Sequence, residues 1–428
     1  MTTPQRVVIT GLGQVAPHGN DVAAGFAALL AGHSATRLRS VGEAPHSSTL
    51  VSAVCASGDD LGAAATLGRA RVATMDRFSQ LSALAARSAW ADAGLDTPGT
   101  LGGLTDAERA RACVLWGTGA GGIQTLERGY RDLFLLHKPR ISPLSVVLGM
   151  HNAAAAQLAL LFNLGGECLT YSVACASSAV ALAEAMRRVR WGGCAVALAG
   201  GAEAALPYGT VKAWQSMRVL AEADEAGAPA ACRPFDANRS GLVLGEGAAA
   251  LVLEAREHAL ARGARIYAEL AGAGGSCDHS HLSTPDAAGQ LRALQAALLD
   301  AGATAADLRY VNAHGTATAE GDPVEAEALR RLLGAHCAQV AVSATKSMHG
   351  HLMGAAGALE ALVTVMAVQT GHIPPTANLT SIDPACGGLD HVAGSARLGV
   401  GVPLALSNSF AFGGSNAVLV FRQHGEQA

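Results

Sequence analysis

The chain has 428 residues, with 30 Lys plus Arg against 34 Asp plus Glu, so its formal net charge is −4. This balance argues against a protein that binds nucleic acid by bulk electrostatic attraction. Half of the residues are hydrophobic and only 15% are charged, which supports a large buried core and excludes a disordered chain. Aromatic residues reach only 4% whereas glycine occurs 51 times, so the composition predicts close packing of helices on sheets.

The sequence also predicts a cytoplasmic location. The N-terminus passes directly into a strand-like run at 6–10, without the pattern of a secretory signal peptide. Nine cysteines are spread along the chain without a C-x-x-C pair, which is typical of free thiols in a reducing compartment. The apolar stretches at 191–202 and 354–371 are either short or interrupted by Glu360, so no membrane span is expected.

Short apolar runs alternate with Ala- and Leu-rich stretches, which is the pattern of an α/β protein. In the first half, strands are predicted at 6–11, 112–117, 169–173, 195–200 and 247–253. In the second half, strands are predicted at 266–273, 309–313, 340–344, 404–408 and 416–422. Because five strands follow five, the pattern predicts an internally duplicated architecture. Two helices, 176–189 and 355–368, are apolar nearly all round and are expected to lie buried between layers.

Cys175 lies at the junction of a predicted strand and one of these buried helices, among small residues. The unpaired N–H groups at the start of a helix lower the pKa of a thiol and can bind a developing oxyanion. This placement is typical of a nucleophile. A free cysteine is also often buried without a chemical role, so the segment alone leaves both interpretations open.

Three later segments carry further candidates. A predicted strand ends at His314 before a glycine turn, although a structural histidine would fit there as well. Lys346 is one of only three lysines beside 27 arginines, which indicates that a compact ammonium is required, and Glu360 in the apolar helix is its expected partner. In the segment 408–416, Gly413 and Gly414 can turn backbone N–H groups toward a ligand. Two adjacent glycines are equally typical of an ordinary hairpin turn without a functional role.

Together these segments resemble the β-ketoacyl-acyl carrier protein synthases, the elongating condensing enzymes of the thiolase superfamily, and most of all synthase II of type II fatty acid synthesis. The resemblance covers essentially the whole chain. Further matching segments lie at 8–13, 117–122, 199–203, 233–236 and 245–248. The chain departs from the usual pattern at three positions, which are Val173, Ser240 and Ala411.

The resemblance implies a duplicated, five-layered α-β-α-β-α thiolase fold, with the nucleophile in an N-terminal half (1–258) and the catalytic His and Lys in a C-terminal half (259–428). It implies an acyltransferase that condenses an acyl chain on Cys175 with malonyl-acyl carrier protein, with loss of carbon dioxide. No metal and no cofactor are expected, because the substrates travel on the phosphopantetheine of the carrier. The expected partners are an acyl carrier protein and a second subunit, either a second copy or a chain-length-factor-like protein.

The resemblance also assigns roles to individual residues. The implied catalytic set contains the nucleophile, two histidines, a lysine with its carboxylate, and a gate: Cys175, His314, His351, Lys346, Glu360 and Phe412. The implied substrate-binding residues are Ala120, Asp278, His281, Thr316, Thr318 and Gly413. A basic rim for an acidic carrier is expected at Arg71, Lys138, Arg140 and Arg218. Lys346 is expected to keep the histidines neutral by like-charge repulsion.

Three alternatives compete with this hypothesis. The run 277–281 contains Cys277, His279 and His281 and suggests a zinc site, but ligands so close in sequence rarely converge around a metal. A non-catalytic chain-length-factor-like subunit would lack the nucleophile that this chain has. A biosynthetic thiolase would need a second cysteine near 412–414, where none is found. The sequence leaves open whether the pathway makes primary fatty acids or specialised polyketides or polyenes.

Overall fold

The computed structural model describes residues 4–95 and 103–425. Its strands are β1 (Val7–Val15), β2 (Arg37–Glu43), β3 (His46–Ala53), β4 (Cys113–Gly117), β5 (Cys168–Tyr171), β6 (Val196–Glu203), β7 (Leu244–Gly245), β8 (Gly247–Ala255), β9 (Ala268–Cys277), β10 (Tyr310–Asn312), β11 (Ala341–Ser343), β12 (Asp390–His391), β13 (Leu404–Phe410) and β14 (Ser415–Arg422).

The α-helices are α1 (Val22–Leu30), α2 (Ala63–Leu67), α3 (Arg69–Val72), α4 (Arg77–Asp92), α5 (Asp106–Arg109), α6 (Ile123–Phe134), α7 (Ser145–Gly149), α8 (Ala153–Phe162), α9 (Ser177–Arg190), α10 (Tyr208–Ser216), α11 (Arg256–Ala261), α12 (Ala287–Asp300), α13 (Gly321–Leu333), α14 (Lys346–His349) and α15 (Ala356–Thr370).

The large sheet repeats one topology twice. The first half has the order β5-β4-β6-β8-β1, and the second half has β11-β10-β13-β14-β9, with β12 added at its edge. In each half the first three strands run parallel to one another. Each of the next two strands runs antiparallel to the strand before it in this order. The halves meet where β1 pairs with β9 over two residues, Val8 with Glu269 and Ile9 with Ala268. The duplication expected from the strand pattern is confirmed.

Five layers follow from how helices cover these two half-sheets. The helices α9 and α15 pack together between them and form the central core, because nearly every residue of α15 is buried. Outside the first half-sheet lie α4 and α8, and outside the second lie α12 and α13. The helical segment Met353–Thr370 is long and apolar enough to cross a membrane, but 83% of it is buried inside the protein.

Two glycines allow the central helix to reach the sheet. A Cβ on Gly117 in β4 would lie 2.3 Å from the backbone nitrogen of Ser178, and one on Gly201 in β6 would lie 2.6 Å from the Ser178 Cβ. Contacts this short exclude any side chain at either position. The glycines therefore bring the start of α9, and the cysteine before it, directly against the ends of β4 and β6.

The structure differs from the predicted elements in two ways. A separate small sheet of β2, β3 and β7 was not predicted, because β2 is polar and mostly exposed and lacks the alternation that marks a strand. The strand predicted at 195–200 continues to Glu203, whose side chain is buried. The predicted division of the chain after residue 258 falls within α11 and stays a prediction.

Candidate active site

Cys175 lies in the tight turn between β5 and α9, just before the first turn of the helix. The turn is held by Ser177, whose hydroxyl accepts a hydrogen bond from the Val173 N–H at 2.8 Å and donates one to the Ala174 carbonyl at 2.7 Å. Ala174 has a left-handed backbone with φ of 44°. Such a conformation is uncommon for a residue with a side chain and marks a constrained position. The turn therefore presents the thiol of Cys175 in a fixed direction.

The protonation state of this thiol differs from the expectation. Burial raises the pKa of Cys175 to about 11, although Lys346 and a hydrogen bond from the Phe412 N–H each act to lower it. Desolvation therefore raises the pKa of Cys175 by more than the N–H groups at the start of α9, which were expected to dominate, can lower it. In the free protein Cys175 is a neutral thiol, so its proton must leave as the substrate reacts.

The two histidines lie beside the thiol, and one nitrogen of each ring is close to it. Nε2 of His351 lies 3.0 Å from Sγ of Cys175, and Nδ1 of His351 accepts the Met353 N–H at 3.2 Å. Nζ of Lys346 lies 3.3 Å from Nδ1 of His314 and can donate to it. Because each Nδ1 is an acceptor, each neutral ring carries its proton on Nε2.

Both histidines are held neutral. Burial lowers the pKa of His314 and of His351 well below the ordinary value, and the charge of Lys346 lowers both further. The expectation of neutral rings agrees with these directions, but desolvation is a larger cause than like-charge repulsion. The rings stand edge to face with centroids 5.4 Å apart. Two N–H donors are therefore available beside the thiol at neutral pH.

Lys346 and Glu360 form an ion pair in which both side chains are completely buried. Burial raises the pKa of Glu360 to about 7, while the charge of Lys346 and their hydrogen bond act to lower it. A buried carboxylate in the middle of α15 requires such a partner. The pairing expected from the sequence is present in the structure.

The turn after β13 brings the backbone N–H of Phe412 to the thiol of Cys175. The Phe412 ring stacks on Trp214 with centroids 6.0 Å apart and an angle of 24° between the planes. Gly413 and Gly414 follow with φ of 85° and 74°, a conformation open to glycine. The Gly413 N–H donates to the Leu282 carbonyl at 2.7 Å. The segment is therefore tied to its neighbours at the side chain of Phe412 and at the backbone of Gly413.

A cavity of about 440 Å³ leads from the surface to these residues. Cys175, His314 and His351 lie on its wall together with Phe412 and Trp214. Among the other predicted residues, Thr316, Thr318, Asp278 and Arg218 line the cavity. Such a passage, open at one end and reactive at the other, suits a long flexible arm that delivers an acyl group.

Several predicted residues lie elsewhere. Ala120 is half-buried and packs with a cluster that includes Met353, outside the cavity lining. His281 is exposed, and its Nδ1 accepts the backbone N–H groups of Ser283 and Thr284, so it caps its own loop instead of facing the cavity. Gly413 is exposed, whereas its neighbour Gly414 lines the cavity.

The remaining residues of the basic rim are also away from the cavity lining. Arg71 in α3, Lys138 and Arg140 are exposed, and Lys138 pairs with Asp132 at 2.8 Å. Asp278, one of the implied substrate-binding residues, is buried and accepts a hydrogen bond from Asn416 at 2.7 Å, and its N–H donates to the Gly414 carbonyl at 2.8 Å, so it supports the turn that carries Phe412.

Sequence reasoning did not identify the carboxylates that hold the histidine loop of the second half. Glu325 accepts the N–H groups of His314 and Gly315, each at 2.8 Å. Asp322 accepts those of Thr316 and Ala317, each at 3.1 Å. The available signal was the pair of acidic residues one turn apart at the start of α13, a helix that also carries a buried apolar face.

Sγ of Cys175 and one nitrogen from each of His314 and His351 lie within 4.8 Å of one another, close enough to share a metal ion. The adjacent ammonium of Lys346 opposes a cation there, because like charges repel strongly in a buried site. Among residues 4–95 and 103–425, no cluster of metal-ligating side chains includes residues of the run 277–281, so the structure does not form the zinc site considered for this run.

Comparisons with known proteins agree with this geometry. Residues 4–259 match the family described as beta-ketoacyl synthase, N-terminal domain, and residues 267–380 match its C-terminal domain. The chain is 42% identical to nodulation protein E of Rhizobium sp. (strain N33), over 98% of this chain and 99% of the relative. It is 37% identical to 3-oxoacyl-[acyl-carrier-protein] synthase 2 of Coxiella burnetii, over 97% and 98%.

Among solved structures, the ishigamide ketosynthase/chain length factor superposes with a TM-score of 0.88 at 32% identity, covering 99% of this chain and 100% of the other. The fold is therefore the five-layered thiolase fold that the sequence resemblance implied. The protein belongs to the beta-ketoacyl synthase family and is an acyltransferase of the class that condenses acyl groups carried on acyl carrier protein.

Proposed function

We propose that Cys175 accepts an acyl chain and that His314 and His351 activate malonyl-acyl carrier protein for its extension by two carbons. The observation that carries this assignment is the convergence of Sγ and the two histidine nitrogens within 4.8 Å on the wall of one open cavity. The ordered turn before α9 and the buried Lys346–Glu360 pair support it, because they fix these groups before substrate arrives.

In the first half-reaction, Sγ of Cys175 attacks the thioester carbonyl of the acyl carrier. The carrier's C–S bond breaks, and the proton of the Cys175 thiol ends on the departing pantetheine sulfur. The backbone N–H of Phe412, which points at Sγ, and that of Cys175 stabilise the tetrahedral oxyanion. Because burial raises the pKa of the thiol to about 11, most Cys175 carries its proton before the acyl carrier binds, and this proton is lost as the thiol reacts.

In the second half-reaction, the Nε2–H groups of His314 and His351 donate to the thioester carbonyl of the malonyl group. Carbon dioxide leaves, and its bonding electrons form an enolate that these two donors stabilise. The enolate carbon attacks the acyl carbonyl on Cys175, the C–S bond to Cys175 breaks, and the released sulfur takes up a proton. The product is β-ketoacyl-acyl carrier protein, and no cofactor beyond the carrier's phosphopantetheine is proposed.

An acyl carrier protein is the proposed partner at the cavity mouth. Arg218 is exposed at the end of α10 and lines the cavity, where it can meet an acidic carrier. We also propose that Arg71, Lys138 and Arg140 extend this basic surface for the carrier protein. Because its proposed partner is an acyl carrier protein, we propose that the enzyme is located in the cytoplasm.

A second subunit is also proposed, either a copy of this chain or a chain-length-factor-like protein. Strand β5 lies at the edge of the large sheet, and its Leu169 is exposed. Large apolar side chains are exposed on the elements that precede it, including Phe134, Val146 and Leu160. An apolar surface beside an open sheet edge is typical of a subunit interface. We further propose that the chain divides into functional halves after residue 258.

A non-catalytic chain-length-factor-like role is the second candidate, because one structural relative pairs a ketosynthase with such a factor. The complete Cys175, His314 and His351 set favours the catalytic role. The pathway stays open between primary fatty acid synthesis and a specialised polyketide or polyene route.

The deciding experiment is the Cys175→Ala variant. We expect it to lose acylation and condensation, measured by intact mass after incubation with a panel of acyl-carrier proteins, and to keep decarboxylating malonyl-carrier protein, because both histidines remain. Stoichiometric acylation of this variant would show that the nucleophile lies elsewhere. Failure of the unaltered protein to become acylated by any carrier would favour the non-catalytic role.

A further inference from the structure

A buried carboxylate outside the implied catalytic set joins two loops of the active site. Glu203 ends β6, and its side chain is completely buried. One carboxylate oxygen accepts the backbone N–H groups of Gly119 at 2.6 Å and Gly354 at 3.1 Å. The other accepts the Ala120 N–H at 3.1 Å and the Thr118 hydroxyl at 3.3 Å. Four neutral donors from two separate loops therefore converge on one side chain.

The first of these loops leads directly to His351. Gly354 follows Met353, whose N–H donates to Nδ1 of His351 at 3.2 Å. Met353 has a left-handed φ of 45°, which persists only where the surroundings enforce it. The bond from the Gly354 N–H to Glu203 holds the next peptide in place. Glu203 thus fixes the residue that sets the tautomer and direction of the His351 ring.

The second loop leads toward the nucleophile. The Gly119 carbonyl accepts a hydrogen bond from the Ser172 hydroxyl at 3.4 Å, three residues before Cys175. The carboxylate also defines which residues fit around it. A Cβ on Gly354 would lie 2.7 Å from Oε2 of Glu203, and a Cβ on Gly119 would lie 2.9 Å from it. The two loops therefore reach the carboxylate only because both positions are glycine.

We propose that Glu203 is a positioning residue for the condensation. Through Gly354 and Met353 it keeps the Nε2–H of His351 directed at the carbonyl of the malonyl thioester. This inference rests on the role given to His351 in the proposed function. It predicts that loss of Glu203 harms the half-reaction that uses the histidines more than the acylation of Cys175, because the route through Gly354 and Met353 ends on the His351 ring, whereas the route through Gly119 ends at Ser172.

The test is Glu203→Gln, which keeps the size of the side chain but places an amide NH₂ among N–H donors. Decarboxylation is measured as carbon dioxide release from malonyl-carrier protein in a Cys175→Ala background, and acylation is measured by intact mass with Cys175 present. We expect kcat for decarboxylation to fall about 10²-fold, as for other misplaced catalytic groups. KM for malonyl-carrier protein and the acylation rate should stay near those of the parent protein.

Glu254→Gln is the matched control. Glu254 is also completely buried, but on β8, where it bonds Arg262 and His258 away from the cavity. We expect it to lower the melting temperature without changing the ratio of the two half-reactions. A Glu203→Gln protein that slows both half-reactions in proportion, as a destabilised protein would, overturns the proposal.

Glu203→Asp keeps a carboxyl group at this position and provides the same test if the Gln variant does not accumulate as folded protein. Its carboxylate is one methylene shorter, so we expect a smaller but equally selective loss of decarboxylation. An Asp variant with an unchanged ratio of half-reactions would overturn the proposal. Inactivity of the Cys175→Ala parent in decarboxylation would instead contradict the proposed role of the histidines, so the two failures can be told apart.

Discussion

The loop that precedes the central helix differs between the two halves of the duplicated fold. In the first half, β5 ends at Tyr171 and α9 begins at Ser177, so the loop is short and holds Cys175. In the second half, β11 ends at Ser343 and α15 begins at Ala356, and the longer loop forms α14 and carries Lys346 and His351. The same place in the topology thus supplies the nucleophile in the first half and one histidine donor with the cation in the second, while the other donor, His314, follows β10.

The two loops meet because their helices pack against each other. The Ala358 N–H donates to the Ser178 hydroxyl at 2.9 Å, and a Cβ on Gly357 would lie 2.8 Å from the Ala179 Cβ. Each loop also contains a left-handed residue that is not glycine, Ala174 in one and Met353 in the other. Duplication therefore provides two rigid turns that face each other, and the chemistry is divided between them.

The largest effect is expected from breaking the completely buried Lys346–Glu360 ion pair of the second half. Glu360→Leu leaves the Lys346 ammonium buried without its partner, and such a loss destabilises a protein by about 3–5 kcal/mol. The double variant Lys346→Met/Glu360→Leu removes both charges and should recover most of this stability. Urea unfolding monitored by fluorescence checks both values. Equal stability of the single and double variants would mean that the pair is not what holds this helix.

The loop of the first half makes a different prediction, about the reactivity of its thiol. Because burial raises the pKa of Cys175 to about 11, only a small thiolate fraction exists at neutral pH, and this fraction grows as the pH rises toward the pKa. The alkylation rate of Cys175 by iodoacetamide should therefore rise about tenfold per pH unit between pH 7 and pH 9. Peptide mass spectrometry separates this site from the exposed Cys168 and Cys277. A rate that levels off near pH 8 would show that the helix start, not burial, sets the pKa.

These contrasts also mark what the sequence can predict. The buried helices and the strands flanking Cys175 and His314 carry strong apolar patterns, so their positions follow from composition and periodicity. The pairing of Lys346 with Glu360 follows because a carboxylate in an apolar helix needs a partner. The polar hairpin of β2 and β3 carries no such pattern and was missed.

The rest depends on three-dimensional neighbours that one sequence does not specify. The anchoring carboxylates Glu203 and Glu325 bond backbone N–H groups, which every residue type except proline carries, so the residue types do not show which segment a carboxylate binds. The pKa of Cys175 depends on how completely the neighbouring loops exclude water. The contacts of His281 depend on its neighbours in the same way, since its ring nitrogen accepts two N–H groups of its own loop.

A smaller effect is expected at Ala120, which the sequence resemblance assigns to substrate binding although it lies outside the cavity lining. Ala120 belongs to the loop after β4, and it packs with Met353 of the second half and with Ile123. Ala120→Ile adds three carbons there, equivalent to about 2 kcal/mol of apolar burial that a chain end would otherwise gain. We expect the longest acyl chain loaded onto Cys175 to shorten while short chains load as before, measured by intact mass. Ile123→Ala is the comparison variant, because a change of chain length there alone would make Ile123 the limiting residue.

The smallest effect concerns the surface of the first half, where a carrier is proposed to dock. Arg218 is exposed at the cavity mouth, so Arg218→Glu changes a long-range attraction and leaves the reacting groups untouched. We expect KM for the carrier protein to rise at low salt, with kcat unchanged, and the difference to shrink as added salt screens the charges. Arg87→Glu makes the same charge change on the exposed side of α4, away from the cavity lining, and should leave KM as it was. Equal KM values for the two variants at every salt concentration would remove Arg218 from the docking surface and shift attention to Arg71, Lys138 and Arg140.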